Sequence, residues 1–160
     1  ARNPDAVLVF KPHPDVVAGL RHGAIPAHEA AELADHVTMS PNIVPLIGAA
    51  DRIETISSLA GFEALLRDKA VTCHGVPFYA GWGLTEDLVA MPRRTRRRTL
   101  DELVAIAFTR YTRHVHPYWR RECTCLELIH GLVRQRSDAR HHARNALLGR
   151  AAWACERLGL

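Results

Sequence analysis

The clearest alternation of hydrophobic and polar positions lies between residues 52 and 85. Three β-branched side chains near its start favour a short strand, namely Ile53, Thr55 and Ile56. The pair Ser57-Ser58 follows, and a hydroxyl there can cap the start of a helix. Apolar side chains then recur at helical spacing, at Leu59, Phe62, Leu65 and Leu66. Residues 70–73 regain strand character, and strand, helix and strand in this order predict a right-handed parallel crossover in an α/β sheet.

The segment before this crossover also alternates between strand and helix patterns. Its first apolar run is bounded by polar residues, which is typical of a buried strand, and two prolines then force a turn. The predicted elements are a buried strand at 5–11, a helical turn at 16–20, a helix at 29–33, a strand at 36–39 and a helix from residue 40 or 42 to 47.

The segment after residue 85 loses the alternation, so we expect the Rossmann-like pattern to stop there. Thr99 resembles an N-cap, followed by first-turn acids. The predicted elements are a linker at 86–98, a helix at 99–113, a break at 116–119 and helices at 124–135 and 138–158. We therefore divide the chain into a Rossmann-like part, 1–92, and a basic linker with a helical C-terminal segment, 93–160.

Composition favours an ordinary soluble domain. The 160 residues are 48% hydrophobic and 24% charged, which is enough for one domain with a real core. No apolar run approaches the roughly 20 residues that span a bilayer, and the first residues do not resemble a signal peptide. Because the chain lacks an initiator Met and opens almost directly on a strand, we expect it to be a piece of a longer protein.

The cysteines favour reduced thiols in a cytosolic protein rather than a disulfide framework. They are Cys73, Cys123, Cys125 and Cys155. The one-residue gap between Cys123 and Cys125 is shorter than the two to four residues of common zinc knuckles. His116 and His130 keep a metal site conceivable, but buried or half-buried helix residues are the favoured interpretation, and we predict no metal.

The net charge of +4 is concentrated in arginine clusters. The main run comprises Arg93, Arg94, Arg96, Arg97 and Arg98, and further arginines lie at Arg120, Arg121, Arg134, Arg136, Arg140, Arg144 and Arg150. Such clusters mark contact with nucleic acid, phosphate or anionic membrane, or form a solvated basic face. The sequence leaves both interpretations open.

Two places carry candidate phosphate-binding chemistry. Lys11 and His13 leave a predicted strand at alternate positions, so they point to one side, and both can donate to a phosphate oxygen. Ser57-Ser58 follows the other strand, at the edge where open α/β sheets bind ligands, and begins a helix whose N–H groups favour anions. Together they predict a pocket for the phosphate of a leaving nucleotide; a structural role for His13 is the alternative.

Two further residues in this part could contact a nucleotide. Glu63 lies one to two turns into the predicted helix, where its carboxylate could accept hydrogen bonds from ribose or simply face solvent. Tyr79 or Trp82 could line a ligand cleft or attach the aromatic loop to the core. The sequence has no G-x-G-x-x-G after a strand, no G-K-[ST] and no nucleophile elbow, which argues against dinucleotide, P-loop and α/β-hydrolase enzymes.

Three stretches resemble a known family. They are KPHPD at 11–15, ISSLAGFEALLRDKAVTCHGVPFYAGWGLTED at 56–87 and RRTRRRTLDELV at 93–104. They are similar to bacterial capsule polysaccharide biosynthesis and export proteins, the retaining β-Kdo glycosyltransferases that build the Kdo linker of capsules. The similarity extends from about residue 5 to 113, and FYAGWGLT is its most specific string.

This resemblance implies the Rossmann-like half of a GT-B-type glycosyltransferase with CMP-Kdo as donor substrate and no separate cofactor. His13-Pro14 and Ser57-Ser58 would hold the CMP phosphate with Lys11 beside them. Glu63 and Tyr79 join this predicted donor site on the strength of their own positions in the helix and the loop. His13 would be catalytic, because a donor to the phosphate stabilises the charge that builds up on departing CMP and can act as a general acid.

The resemblance also implies partners and a location. The acceptor would be a lipid of the lysophosphatidylglycerol type, and the acidic residue that works with it would belong to another, N-terminal domain. We therefore expect donor-binding machinery but an incomplete active site, in a cytoplasmic protein lying on the inner face of the cytoplasmic membrane, with no nucleic acid bound. The alternative function is a noncatalytic basic module that binds RNA or anionic membrane.

Overall fold

A computed structural model of the chain describes residues 4–20, 22–40, 42–141, 143–144 and 147. The chain forms two compact units, residues 1–96 and 97–160. Most of the predicted helix at 138–158 lies outside the described residues, as does Cys155. Within the described part, no helix is both long enough and apolar enough to cross a bilayer.

The first unit is built from short parallel strands and helices. In chain order its elements are β1 (Val9–Phe10), α1 (Pro14–Val17), α2 (Ala27–Leu33), β2 (His36–Val37), α3 (Val44–Ala49), β3 (Arg52–Thr55), α4 (Leu59–Leu65), β4 (Ala70–Cys73) and β5 (Glu86–Asp87). β1 pairs with β2, and β3, β4 and β5 form a second sheet in that order, with every pairing parallel. The predicted α/β class and the β3–α4–β4 crossover are confirmed.

Helix α4 forms the core of this unit because its apolar face packs on the sheet. Its residues Phe62, Ala64 and Leu65 are buried, as are Val71 and Cys73 of β4. The helix ends at Leu65, and Asp68, which has a left-handed φ of 55°, lies in the turn that leads the chain back to β4.

The first predicted strand is much shorter and more open than expected. Only Val9 and Phe10 form β1, and Val7, Leu8 and Val9 are 70%, 51% and 46% exposed. Its partner β2 has two exposed residues, so no layer covers this small sheet among the described residues. The prediction of a buried strand was wrong because an apolar run indicates extended backbone, whereas burial requires a second layer.

The predicted linker at 86–98 begins with a strand instead. β5 pairs with β4 through Thr72↔Glu86 and Cys73↔Asp87. The Thr72 hydroxyl donates to Oε2 of Glu86 at 3.0 Å, and Arg52 donates to the same carboxylate oxygen at 2.5 Å. These bonds from neighbouring strands hold a pair of acidic residues that has little strand tendency of its own.

The second unit combines helices with a hairpin. Its elements are α5 (Leu100–Ala105), a π-helical segment (Ile106–Tyr111), β6 (His114–Val115), β7 (Glu122–Cys123) and α6 (Cys125–Arg136). The predicted N-cap at Thr99 is confirmed, and Thr99 and Thr124 each form a capping box. The predicted break at 116–119 lies between two antiparallel strands, so a hairpin stands where only an interruption was expected.

The second unit also bears on the predicted cysteine and histidine roles. Cys123 is half-buried in β7 rather than in a helix, and Cys125 begins α6. His116 is buried and stacks on Trp119, with ring centres 4.0 Å apart. Among the described residues, no group of three His, Cys, Asp or Glu side chains is placed to hold a metal ion.

Candidate functional site

The Ser57-Ser58 turn lies exposed at the carboxyl end of β3, as predicted. The backbone N–H of Ser58 donates to Oγ1 of Thr55 at 3.1 Å, which closes the turn. Oγ of Ser58 accepts from the backbone N–H of Ala60 at 3.2 Å, so this hydroxyl caps α4. A serine hydroxyl that accepts one bond still has its own proton to donate. Both serines are therefore accessible donors on a fixed piece of backbone.

Tyr79 supports this turn from inside the protein. Its side chain is completely buried, and its hydroxyl donates to the backbone carbonyl of Ser58 at 2.5 Å. Its ring packs against Phe62 and Phe78, with centres 6.1 Å and 5.3 Å apart. Burial raises the pKa of Tyr79 above its usual range. Of the two alternatives for Tyr79, attachment of the loop to the core is the one that this geometry supports.

Gly61 is a support residue that the sequence analysis did not single out. A Cβ atom at this position would lie 2.3 Å from the Tyr79 hydroxyl oxygen and 3.0 Å from a methyl group of Thr55. Only glycine therefore leaves room for the bond between Tyr79 and Ser58. The available signal was a lone glycine inside an otherwise helical apolar pattern, which often has a packing reason.

The loop that carries Tyr79 is fixed by Arg94. Nη1 of Arg94 donates to the backbone carbonyls of Pro77 and Ala80, at 2.7 Å and 2.6 Å. The guanidinium carbon also lies 5.3 Å from the ring centre of Trp82. We call this arrangement the Arg94 clamp. Both interpretations of the arginine run treated it as surface charge, and for Arg94 that prediction was wrong.

The other arginines of the run differ from Arg94. Arg93, Arg96 and Arg97 are exposed. Arg98 lies 3.6 Å from Glu102, one helical turn further along the chain. Because the run consists almost entirely of arginines, the sequence gave no signal that the side chain of one of them bonds to a neighbouring loop.

The Lys11-Pro-His-Pro segment forms the start of α1. Nδ1 of His13 accepts from the backbone N–H of Asp15 at 3.1 Å and caps this short helix, with Pro14 as its first residue. Because Nδ1 accepts this bond, the proton of the neutral ring belongs on Nε2, which can donate to a ligand. Lys11 borders a shallow pocket of about 190 Å³ whose other lining residues are Pro12, Pro14, Val17, Ala18, Met39 and Ser40.

The predicted site residues fall into two groups. Ser57, Ser58 and Tyr79 meet around the turn after β3, whereas Lys11 and His13 follow β1 in the other sheet. Ser57 and Ser58 do not line the pocket beside Lys11, so a single phosphate pocket made by both groups stays a prediction. Glu63 is half-buried in α4, and its contact with ribose also stays a prediction.

Comparisons of sequence identify several relatives of the chain. The family model described as "Capsule polysaccharide biosynthesis protein" matches residues 1–117. "Capsule polysaccharide modification protein LipA" of Neisseria meningitidis serogroup B is 46% identical over 136 residues, which cover 85% of this chain and 19% of LipA. "Lipopolysaccharide-processing protein LpsZ" of Rhizobium meliloti is 44% identical over 112 residues, covering 70% of this chain and 26% of LpsZ. The chain thus spans only a small part of these curated relatives.

Solved structures with a similar fold include two transferases. "Thermosulfurimonas dismutans KpsC, beta Kdo 2,7 transferase" aligns with a TM-score of 0.74 and 38% identity, over 84% of this chain and 42% of that one. The beta Kdo 2,4 transferase of the same KpsC aligns with a TM-score of 0.67 and 37% identity, over 82% and 41% of the two chains. Both are similar in sequence as well as in fold.

Proposed function

The chain belongs to the capsule polysaccharide biosynthesis family, and we propose that it is the donor-binding part of a glycosyltransferase that takes Kdo from CMP-Kdo. The observation that carries this proposal is the exposed Ser57-Ser58 turn at the carboxyl end of a parallel strand. Open α/β sheets bind ligands at that edge. The parallel β3–α4–β4 crossover also supports assignment to the Rossmann-like half of a GT-B-type enzyme, and the fold is shared with two Kdo transferases.

The chemistry of the proposed site is phosphate recognition followed by stabilisation of the leaving group. The hydroxyls of Ser57 and Ser58 donate to the phosphate oxygens of CMP, and Lys11 adds a positive charge. Departing CMP gains negative charge, which these donors stabilise without reorganising. The Nε2 proton of His13 can be shared with, or transferred to, a phosphate oxygen of the departing CMP. Glu63 accepts from a ribose hydroxyl, while Tyr79 acts from inside by holding Ser58.

The second substrate and the location follow from the same assignment. The acceptor is lipid-linked and of the lysophosphatidylglycerol type. The acidic residue that works with it belongs to another domain of the enzyme. The enzyme works at the inner face of the cytoplasmic membrane. The exposed Arg96 and Arg97 support that location, because basic side chains are attracted to anionic lipid headgroups.

Calorimetric titration of the chain with CMP, UMP and AMP tests the proposal. We expect saturable binding of CMP alone. His13→Ala and Ser58→Gly should each weaken it about tenfold, the effect of losing roughly one hydrogen bond to a charged group. Glycine is chosen at Ser58 because it removes the hydroxyl at little cost to the helix cap. Ser137→Ala, at an exposed hydroxyl in the second unit, is the control and should bind like the wild type.

Two outcomes would contradict the proposal. One is equal binding of all three nucleotides, which would exclude selection of a cytidine donor. The other is no binding by a chain whose circular dichroism shows its helices and strands to be intact. In that case the basic surface becomes the leading candidate, and a steep salt dependence of RNA binding would then be the expected result.

A further inference from the structure

The serine turn is held in place through an arginine that lies far along the chain, and we propose that Arg94 is a positioning residue for the donor phosphate site. The inference rests on the proposed function, because it assumes that the serine turn binds the donor phosphate. Arg94 reaches no hydroxyl of the turn itself. It acts through the loop at 77–82, which carries Tyr79.

The first step is the contact between Arg94 and the loop. One guanidinium nitrogen donates to the carbonyls of Pro77 and Ala80, which lie at the two ends of a four-residue turn. Hydrogen bonds from a charged donor are the stronger kind, and the N–H groups of a planar guanidinium point in fixed directions, so a single nitrogen can hold two acceptors in one geometry. The turn at 77–80 is therefore fixed at both ends by one side chain.

The second step is the contact between the loop and the serine turn. Tyr79 lies inside the clamped segment, and its hydroxyl reaches the carbonyl of Ser58. The same carbonyl also accepts from the backbone N–H of Gly61 at 3.3 Å, within the first turn of α4. A displacement of the loop therefore moves the hydrogen-bond donor that fixes Ser58 at the point where the chain enters the helix.

The packing around the clamp leaves little room for adjustment. Gly81 has a φ of 75°, and a Cβ atom there would lie 2.9 Å both from Cδ of Arg94 and from Sδ of Met91. The backbone N–H of Gly81 donates to Asp87 at 2.9 Å, and the indole N–H of Trp82 donates to the Phe78 carbonyl at 2.8 Å. The loop is thus closely packed, and Arg94, which lies outside residues 77–82, is bonded to it through its side chain.

The conservative variant Arg94→Lys tests this inference, because it keeps the charge and replaces the planar guanidinium, with its fixed N–H directions, by a flexible ammonium group. Its matched control is Arg93→Lys, at the exposed neighbouring position. Misplacement of a binding group by about 1 Å can cost up to about a hundredfold. We expect Arg94→Lys to bind CMP about ten- to a hundredfold more weakly and Arg93→Lys to bind it like the wild type.

A comparison of CMP with cytidine separates positioning from a general loss of structure. Cytidine lacks the phosphate, so a displaced serine turn should lower the affinity for CMP and leave the affinity for cytidine nearly unchanged. Tyr79→Phe keeps the ring but removes the bond to Ser58, and should likewise lower the affinity for CMP relative to that for cytidine. Because both residues act through Ser58, the double variant should lose much less than the two single losses combined.

Hydrogen exchange supplies a readout that needs no ligand. Arg94→Lys should speed exchange of the backbone amides of Ser58, Ala60 and Gly61 and leave those of the second unit unchanged. Unchanged CMP affinity in Arg94→Lys, or an equal loss of CMP and cytidine binding, would overturn the inference while the proposed function stands. If the wild type binds no CMP, the proposed function fails, and unchanged exchange in Arg94→Lys would then also refute positioning of the turn.

Discussion

Two of the parallel strand pairs of the first unit, β1–β2 and β3–β4, have the same strand direction but opposite burial. In each pair the first strand leads into a segment with candidate phosphate donors. Around β3–β4 the sheet is covered by α4, and the buried side chains there include Phe62, Ala64, Leu65, Val71, Cys73, Tyr79 and Ala80. Around β1–β2, among the residues that the structure describes, only Ala30 of the neighbouring α2 is buried. Pairing of strands therefore does not produce a core; a packed helix does.

This difference extends to the two groups of candidate site residues. Ser58 is fixed through its N–H, its hydroxyl and its carbonyl, each by a separate partner. His13 caps a four-residue helix that buries none of its residues. Donors held in place before the substrate arrives bind a developing charge at the least cost. We therefore infer that the serine turn sets the position of the phosphate and that His13 adjusts to it.

The largest change in stability should come from a substitution in the covered region that fills the space beside Tyr79. Gly61→Ala places a methyl group against the Tyr79 hydroxyl, so either the ring or the helix must move. Overpacking of this kind should lower the free energy of unfolding by about 3 kcal/mol. Chemical denaturation followed by circular dichroism measures the change.

Gly48→Ala is the matched control, because Gly48 also lies in a helix but nothing surrounds its missing Cβ within 4 Å. Alanine is the better helix former, so this variant should gain about 0.5–1 kcal/mol. Equal effects of the two substitutions would mean that Tyr79 does not pack against Gly61.

A smaller difference in stability should be found between alanine substitutions of two strand valines, one in each sheet. Val71 in β4 is 3% exposed and Val9 in β1 is 46% exposed. Val71→Ala should cost about 2 kcal/mol in the free energy of unfolding, since it removes buried methyl groups and leaves a small cavity. Val9→Ala should change it by less than about 0.5 kcal/mol. Similar losses at both positions would show that β1 is covered by a layer.

The sequence predicted the covered region well because its signals are local. The Ser58 cap and the strand at 70–73 follow from short-range spacing and are confirmed. The apolar face of α4 is confirmed at Phe62 and Leu65, which are buried, whereas Leu59 and Leu66 at the two ends of the helix are exposed. The same applies to the cap of α5 at Thr99. For α6 only the start near Thr124 was predicted, although its threonine and glutamate have the same three-residue spacing.

The remaining features depend on partners distant in the sequence. β5 consists of two acidic residues, and bonds from Arg52 and Thr72 hold it in place. The β6–β7 hairpin has no glycine in its connection; instead Arg120 adopts a left-handed φ of 50°. The clamp is hidden for the same reason, because nothing near Arg94 in the sequence distinguishes it from Arg93. The exposure of β1 was missed because a run of apolar residues carries no information about the layer above it.

The smallest effect concerns stability at alkaline pH. Burial raises the pKa of Tyr79 above its ordinary value of 10.0, so the folded state keeps this proton after the unfolded chain has lost it. Burial and the Asp87 carboxylate raise the pKa of the Cys73 thiol from its ordinary 9.0 in the same direction. The unfolded state then binds fewer protons than the folded state, so the free energy of unfolding must fall as the pH rises past 9 and then 10.

Urea denaturation between pH 8 and 11 measures this slope, which for one proton is at most about 1.4 kcal/mol per pH unit. Tyr79→Phe has no proton to lose there, so its stability, although lower at neutral pH, should fall less steeply above pH 10. Tyr111→Phe, at a side chain that is 87% exposed, is the matched control and should keep the wild-type slope. If Tyr79→Phe also keeps that slope, the Tyr79 hydroxyl is reached by water, and the bond that fixes Ser58 is weaker than its buried position implies.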